Sequence, residues 1–298
     1  MKQKLIIAFL LFTVVFIIVL IACQSQKKTS QISEIKNNDT VIINKNDKIL
    51  NIATFNIQNL GKSKLSKPEI MDTLVAIVRY FDIVAVQEIS DVTNQTADKF
   101  LELINNNESI KYQMACSNRT GRQANDQSSR EQYAFYYNPT KVQLMDTALF
   151  DDREHDYFQR EPFTAQFKNN KSGSVFLIST IHTSPDFAVE EIDALKYVAL
   201  WFPKRFKNAE NIILCGDFNA SCTYASSDEL DQLAIRKQPY YWIIPDDANT
   251  NLSKNQCAYD RFVVNQPLFS KIKSWKVYQY FKSKKVSDHW PVYIEISL

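Results

Sequence analysis

Short apolar runs recur along this chain, and each begins or ends at a carboxylate, an amide or an imidazole. Phe55 gives way to Asn56, Val86-Gln87 to Glu88, Ile181 to His182, and Leu214-Cys-Gly216 to Asp217 and Asn219. Asp260 opens the run to Val264, and Ser287-Asp288-His289 precedes the last run. Runs this short and this rich in aliphatic residues read as buried strands rather than helices. Strands are expected at residues 50–55, 82–86, 133–137, 142–149, 162–167, 174–181, 211–215, 261–264 and 292–296. Asn138-Pro-Thr140 reads as the turn of a hairpin. Helical spacing covers three stretches. One starts at Ser66, read as an N-cap ahead of Pro68 and Glu69; the others span 96–104 and 185–202. Strands outnumber helices, so layer logic gives two packed sheets with helices outside.

Composition narrows the options. With 298 residues and 45 % apolar content, the chain can bury a full core. The balance excludes wholesale disorder and collagen. Only 4 glycines are present, and none forms a Gly-rich phosphate loop. The net charge of +2 is concentrated at the N-terminus, and from Lys48 onward the body is about one unit negative. Overall charge therefore does not advertise a nucleic-acid binder.

The first 22 residues read as an export signal: Lys2 and Lys4 precede an apolar run ending Leu20-Ile21-Ala22-Cys23. The boundary resembles a bacterial lipobox, which makes Cys23 the lipidation site. A plain transmembrane anchor is the alternative. Gln24 supplies no acidic retention residue, which favours the outer membrane or cell surface, with release a further option. Residues 23–47 are rich in Ser, Gln, Lys, Asn and Asp and read as a flexible tether, leaving 48–298 as one domain. Cys215 sits in an apolar run and reads as a buried strand thiol. Cys222 and Cys257 lie in polar sequence and could pair in an oxidising compartment.

The polar residues at strand ends define a chemistry. Strand ends from one sheet edge can converge on one cleft. Asn56, Glu88, Asp217, Asn219 and Asp288 offer hard oxygen donors, which suit Mg²⁺, Mn²⁺ or Ca²⁺ rather than zinc. His182 and His289, two of only 3 histidines, join them as proton-transfer groups. A divalent cation between two imidazoles suits the splitting of a phosphodiester. Each imidazole needs an acid to orient it, and Glu131 and Asp260 are the candidates.

These same residues carry a resemblance. Thr54-Phe-Asn56-Ile57, Val86-Gln-Glu88, Ile181-His182, Gly216-Asp-Phe-Asn219 and Ser287-Asp-His289-Trp-Pro291 look like the motif series of the endonuclease/exonuclease/phosphatase superfamily. Cys257-Ala-Tyr-Asp-Arg261 and Asn219-Ala-Ser-Cys222-Thr-Tyr224 resemble its deoxyribonuclease I branch, and similarity runs from about Ile49 to Ile296. The resemblance implies a four-layer α/β sandwich with two central, mostly antiparallel sheets. It implies His289 with Asp260 as general base and His182 with Glu131 as general acid. Glu88 and Asp288 would hold a catalytic Mg²⁺ or Mn²⁺, with Asn56, Asp217 and Asn219 placing the phosphate or a second ion. Arg160 matches a phosphate-contacting residue, Tyr224 and Tyr259 match positions lining the DNA site, and Cys222–Cys257 matches a structural disulfide.

Departures are equally specific. Ser90 and Gln58 stand where basic residues are usual, and residues 117–130 form a longer segment bearing Arg119, Arg122 and Arg130. These arginines are candidate replacement contacts to DNA. A structural Ca²⁺ loop could use Asp151, Asp156 and Glu161, whereas a second has Asn249 in place of an Asp. The leading expectation is a monomeric, metal-dependent endonuclease on double-stranded DNA, touching membrane only through its lipid. The alternatives are a phosphodiesterase of phospholipid head groups such as sphingomyelin, and a non-catalytic surface lipoprotein that binds nucleic acid or a host protein.

Overall fold

The computed structural model describes residues 49–121 and 130–298. The signal, lipidation and tether readings, and Arg122, fall outside the described residues. One six-stranded sheet runs Ile272–Val277 (β11), Val292–Ile296 (β12), Leu50–Leu60 (β1), Ile83–Ile89 (β2), Gln132–Tyr137 (β4) and Gln113–Cys116 (β3). The other runs Val142–Leu149 (β5), Phe163–Asn169 (β6), Val175–His182 (β7), Ile212–Asp217 (β8), Asp260–Asn265 (β10) and Tyr240–Trp242 (β9). Each sheet contains one parallel pair, β1 with β2 and β7 with β8, among antiparallel neighbours. A parallel pair needs a crossover, which is usually a helix. Helix α1 (Pro68–Tyr80) supplies the first, and α3 (Ala188–Arg205) the second, while α2 (Thr96–Asn105) packs beside α1.

Period-2 alternation sorts the side chains into layers. Ile52, Ile83, Ala85 and Phe135 meet Ile178, Ile213, Cys215 and Phe262 between the sheets. Ala53, Phe55, Val84 and Val86 point the other way, onto Leu74 and Ile77 of α1 and Phe100 of α2. Leu177, Ile181, Ile212 and Leu214 pack on Ile192, Leu195, Val198 and Phe202 of α3. The order is helices, sheet, sheet, helix: the expected four-layer sandwich. Buried Gln87 spans the two sheets, its Nε2 donating to Thr54 Oγ1 at 2.9 Å and to Thr180 Oγ1 at 2.7 Å.

Two readings shift. Ser66 does not cap α1; it ends a short helix, Lys62–Leu65, and Lys67 precedes α1 with Pro68 at its first position. Strands β3, β9 and β11 were not anticipated. Each is short or half-exposed, and β3, β9 and β11 lie at the sheet edges, where one face need not be apolar.

Candidate active site

Strand register brings the site together. β7 and β8 are parallel and end in register, so His182 stands beside Asp217. β10 runs antiparallel to β8 and begins where β8 ends, so Asp260 stands on the other side of Asp217. In the other sheet, Asn56 of β1 pairs with Gln87 of β2 at the matching end, and the loop into β12 delivers Asp288 and His289. Ser287 Oγ fixes that loop, donating to Asn56 O at 2.7 Å and accepting from His289 N at 3.0 Å.

Irregular backbone aims the side chains. Register slips between Asn56 and Leu60 in β1, and between Val86 and Ile89 in β2. Bulges of this kind redirect side chains beside functional sites. Gln58, Asn59, Glu88 and Asn219 all have left-handed φ, between 48° and 63°, which costs free energy in residues other than glycine. Gly216 has φ 144°, and a Cβ there would lie 1.9 Å from Ile181 O. The glycine lets β8 approach β7 closely one residue before Asp217.

Asp217 is the hub. Its Oδ2 accepts from Asn56 Nδ2 at 3.0 Å and lies 3.6 Å from His182 Nε2 and 3.5 Å from His289 Nε2. The two Nε2 atoms are therefore within about 7 Å of each other, the sum of those contacts. Asp217 Oδ1 accepts from Asn219 N at 3.0 Å, and Asn219 Nδ2 donates to Thr183 O at 3.0 Å. The far side of each ring is held by an acid: His182 Nδ1 lies 3.0 Å from Glu131 Oε1, and His289 Nδ1 lies 2.8 Å from Asp260 Oδ2. Both rings are thus oriented with Nε2 facing the cleft.

The electrostatics follow from these pairs. Burial pushes His289 down, but Asp260 and Asp217 outweigh it and hold its pKa at about 10. Burial and Arg160 lower His182, yet Glu131 and Asp217 leave it raised. Burial works against ionised Asp217 and Glu131; the imidazoles overcome it, and both carboxyls sit below the usual range. Asp260 goes the other way, raised by burial despite its bond to His289.

Residues of the expected metal site lie on the sheet-one side. Glu88 Oε1 accepts from Asn56 Nδ2 at 2.8 Å, and its Oε2 accepts from Asn59 N at 2.8 Å. Asp288 and Glu88 both act on the Lys64 ammonium. Asp217, Asp260 and His289 also place ligand atoms within 4.8 Å of one another. A metal there would compete with the His289–Asp260 bond, whereas Glu88 and Asp288 offer carboxylate oxygens alone, the donor type a hard divalent cation prefers.

Other side chains named from the sequence take the following positions. Half-buried Arg160 lies against the His182 side of the site: its Nε lies 3.2 Å from Glu131 Oε1 and donates to His182 O at 3.0 Å, and Nη2 donates to Thr183 O at 3.2 Å. Arg119 donates from Nη1 to Asp91 O at 2.9 Å and from Nη2 to Arg130 O, so it braces its loop. In the acidic loop, Asp151 pairs with exposed Arg153, and the buried carboxylate that acts on Glu161 is Asp152. Tyr224 and Tyr259 do line the rim: their ring centroids lie 5.6 Å apart, and Tyr259 lies 5.8 Å from the His289 ring. The Cys222–Cys257 disulfide is formed beside them.

Sequence reading missed Lys64. Its Nζ donates to Ile57 O at 2.8 Å, Val286 O at 2.9 Å and Gln58 O, tying the end of β1 to the Asp288–His289 loop. Burial pushes this ammonium down to about 8, with Glu88 and Asp288 pulling the other way. The only available signal was a lysine close behind Asn56.

Comparison with known proteins agrees with this geometry. The Endonuclease/Exonuclease/phosphatase family profile matches residues 53–289. Deoxyribonuclease-1 of Bos taurus is 35 % identical over 221 residues, covering 72 % of this chain and 77 % of that protein. Deoxyribonuclease gamma of Homo sapiens is 34 % identical over 262 residues, covering 82 % and 84 %. Among solved structures, a Bacteroides thetaiotaomicron endonuclease/exonuclease/phosphatase family protein superposes with a TM-score of 0.58 at 21 % identity, covering 83 % of this chain and 97 % of its own. The chain belongs to the endonuclease/exonuclease/phosphatase family, in its deoxyribonuclease I-like branch.

Proposed function

We propose that this protein is a divalent-metal-dependent endonuclease that hydrolyses phosphodiester bonds of double-stranded DNA with low sequence specificity. The observation that carries the reading is the convergence of both imidazoles on one Asp217 oxygen, each with its own orienting acid. The deoxyribonuclease relatives supply the substrate class. One chain provides both imidazoles, both orienting acids and the oxygen donors, which supports a monomer as the working unit.

In the proposed reaction, His289 takes a proton from water as the water oxygen bonds to phosphorus. His182 gives a proton to the departing O3′ as the P–O3′ bond breaks. Asp260 and Glu131 keep the rings aimed and stabilise their charged forms. Asn219 offers the second hydrogen of its Nδ2 to a phosphate oxygen, Asn56 holds the Glu88 and Asp217 carboxylates in place, and Tyr224 and Tyr259 flank the strand on the His289 side. Glu88 and Asp288 would hold the ion. When bound, a divalent cation would supply charge that stabilises the pentacoordinate phosphorus and offsets the carboxylate field that raises the pKa of both rings.

The sequence of residues 1–47 supports export as a lipoprotein acylated at Cys23, with a tether holding the enzyme at a bacterial outer membrane or cell surface. The disulfide fits an oxidising compartment. The test is incubation of the purified full chain with supercoiled plasmid in Mg²⁺. Nicked circles that vanish with chelator support the reading. Intact plasmid, with choline phosphate released from sphingomyelin, overturns it.

A further inference from the structure

Two lysine-rich segments far apart in sequence meet beside the cleft. Residues 61–68 contain Lys62, Lys64 and Lys67 and no acid, and residues 278–287 contain Lys282, Lys284 and Lys285 and no acid. Lys64 joins them, its Nζ donating to Val286 O at 2.9 Å. A turn at Ser283–Val286 (Val286 N to Ser283 O, 3.0 Å) presents the second group immediately before Ser287, which is bonded to Asn56 O. Lys62, Lys67, Lys282, Lys284 and Lys285 are all exposed. Among the described residues, none of these five ammonium groups has a carboxylate partner. A body with about one net negative charge has thus gathered five unpaired cations at one rim.

We infer that these five lysines form a phosphate-binding ridge that holds the DNA duplex beyond the scissile bond. The inference rests on the nuclease reading above and adds to it the surface that supplies affinity. Position argues for nucleic acid over an anionic membrane. Half-buried Lys64 links the two segments, and Ser287, two residues after Lys285, is bonded to Asn56 O, so the ridge adjoins the cleft. Tyr280, 58 % exposed and stacked on Tyr278, adds an aromatic face beside the lysines. Arg119 is taken up by Asp91 O and Arg130 O, which leaves the lysines as the exposed cations on this side of the cleft. Phosphate contacts of this kind position a duplex without reading its sequence.

The test compares the full chain with a variant carrying Lys62→Gln, Lys67→Gln, Lys282→Gln, Lys284→Gln and Lys285→Gln, both in a His182→Ala background that spares the DNA. Affinity for a duplex of about 30 base pairs is measured in Mg²⁺ across a salt series, with thermal melting to confirm folding. Each phosphate contact contributes about 0.9 to the slope of log K against log salt. The expected result is at least about tenfold weaker binding at about 50 mM salt and a slope shallower by about 2 or more. Unchanged affinity and slope overturn the ridge, as does a variant that loses only its binding to phosphatidylglycerol vesicles. If the five-fold variant melts early, the Lys282, Lys284, Lys285 triple and the Lys62, Lys67 double are read instead, each expected to give part of the slope change. Plasmid nicking by the unsubstituted chain separates the two ideas. Nicking with an unchanged slope sinks the ridge alone, whereas no nicking sinks the nuclease reading.

Discussion

His182 ends a strand of one sheet and His289 leads into a strand of the other, yet their Nε2 atoms approach the same Asp217 oxygen at 3.6 and 3.5 Å. The sandwich makes this possible because each sheet places its one parallel pair at the same end, and the polar residues follow where those strands stop.

Gly216 is the tightest point in that arrangement. Gly216→Ala would drive a methyl into the Ile181 carbonyl at a backbone angle alanine resists. The expected cost is about 3 kcal/mol or more, with nicking lost at temperatures where the fold survives, because Asp217 is displaced. Melting and nicking of the variant check this; a wild-type melt contradicts it.

Removal of metal-binding capacity should separate from folding. Glu88→Gln and Asp288→Asn should each raise the Mg²⁺ concentration for half-maximal nicking about tenfold or more, since a hard cation loses an anionic oxygen. Melting in chelator should change little. An unaltered Mg²⁺ titration in both variants would remove them from the ion's ligand set.

Acid should loosen the entry to α2 through Asp91. Burial disfavours its charge, but bonds from Thr93 N, Thr93 Oγ1, Gln95 N and Thr96 Oγ1 prevail and hold the pKa at about 2. The folded value is depressed, so the stabilisation is present above the unfolded pKa near 4 and fades as pH falls through about 2. Asp91→Ala should cost about 1 kcal/mol at pH 7, and that difference should shrink toward pH 2. Chemical denaturation at both pH values measures it; a gap constant with pH counts against the assignment.

The Cys222–Cys257 bridge closes a span of 35 residues across the Tyr224–Tyr259 rim. In the chain-entropy model, opening it costs about 4 kcal/mol. The Cys222→Ser, Cys257→Ser double variant should melt several degrees lower than the oxidised protein and match the reduced one. Equal melting of all three forms would show that the bridge does not stabilise the fold.

Much of the site could be read from sequence because chemistry and local structure coincide there. Asn56, Glu88, His182, Asp217 and Asp260 each sit at the end of a buried run, and such runs are recognisable without tertiary information. What escaped depends on long-range contacts. Lys64 looks like any exposed helix lysine until the Val286 carbonyl arrives from 222 residues away. Nor does sequence show that Glu131 and two backbone carbonyls hold the Arg160 guanidinium beside His182. Edge strand β11 alternates too weakly to betray itself, because only one of its neighbours is a strand. That Asp152 is buried while Asp151 pairs with Arg153 turns on a one-residue difference in loop direction that composition cannot resolve.

The central claim is that two imidazoles flank one phosphorus. Its most direct measurement is the rate of plasmid nicking at pH 7 in Mg²⁺ for the full chain, His182→Ala, His289→Ala and the double variant. Each single change should slow nicking by about a thousandfold or more, and the double variant should be scarcely slower than the worse single one, because both groups serve the same bond cleavage. A single variant that keeps about a third of the rate, or losses that simply multiply, would contradict the account.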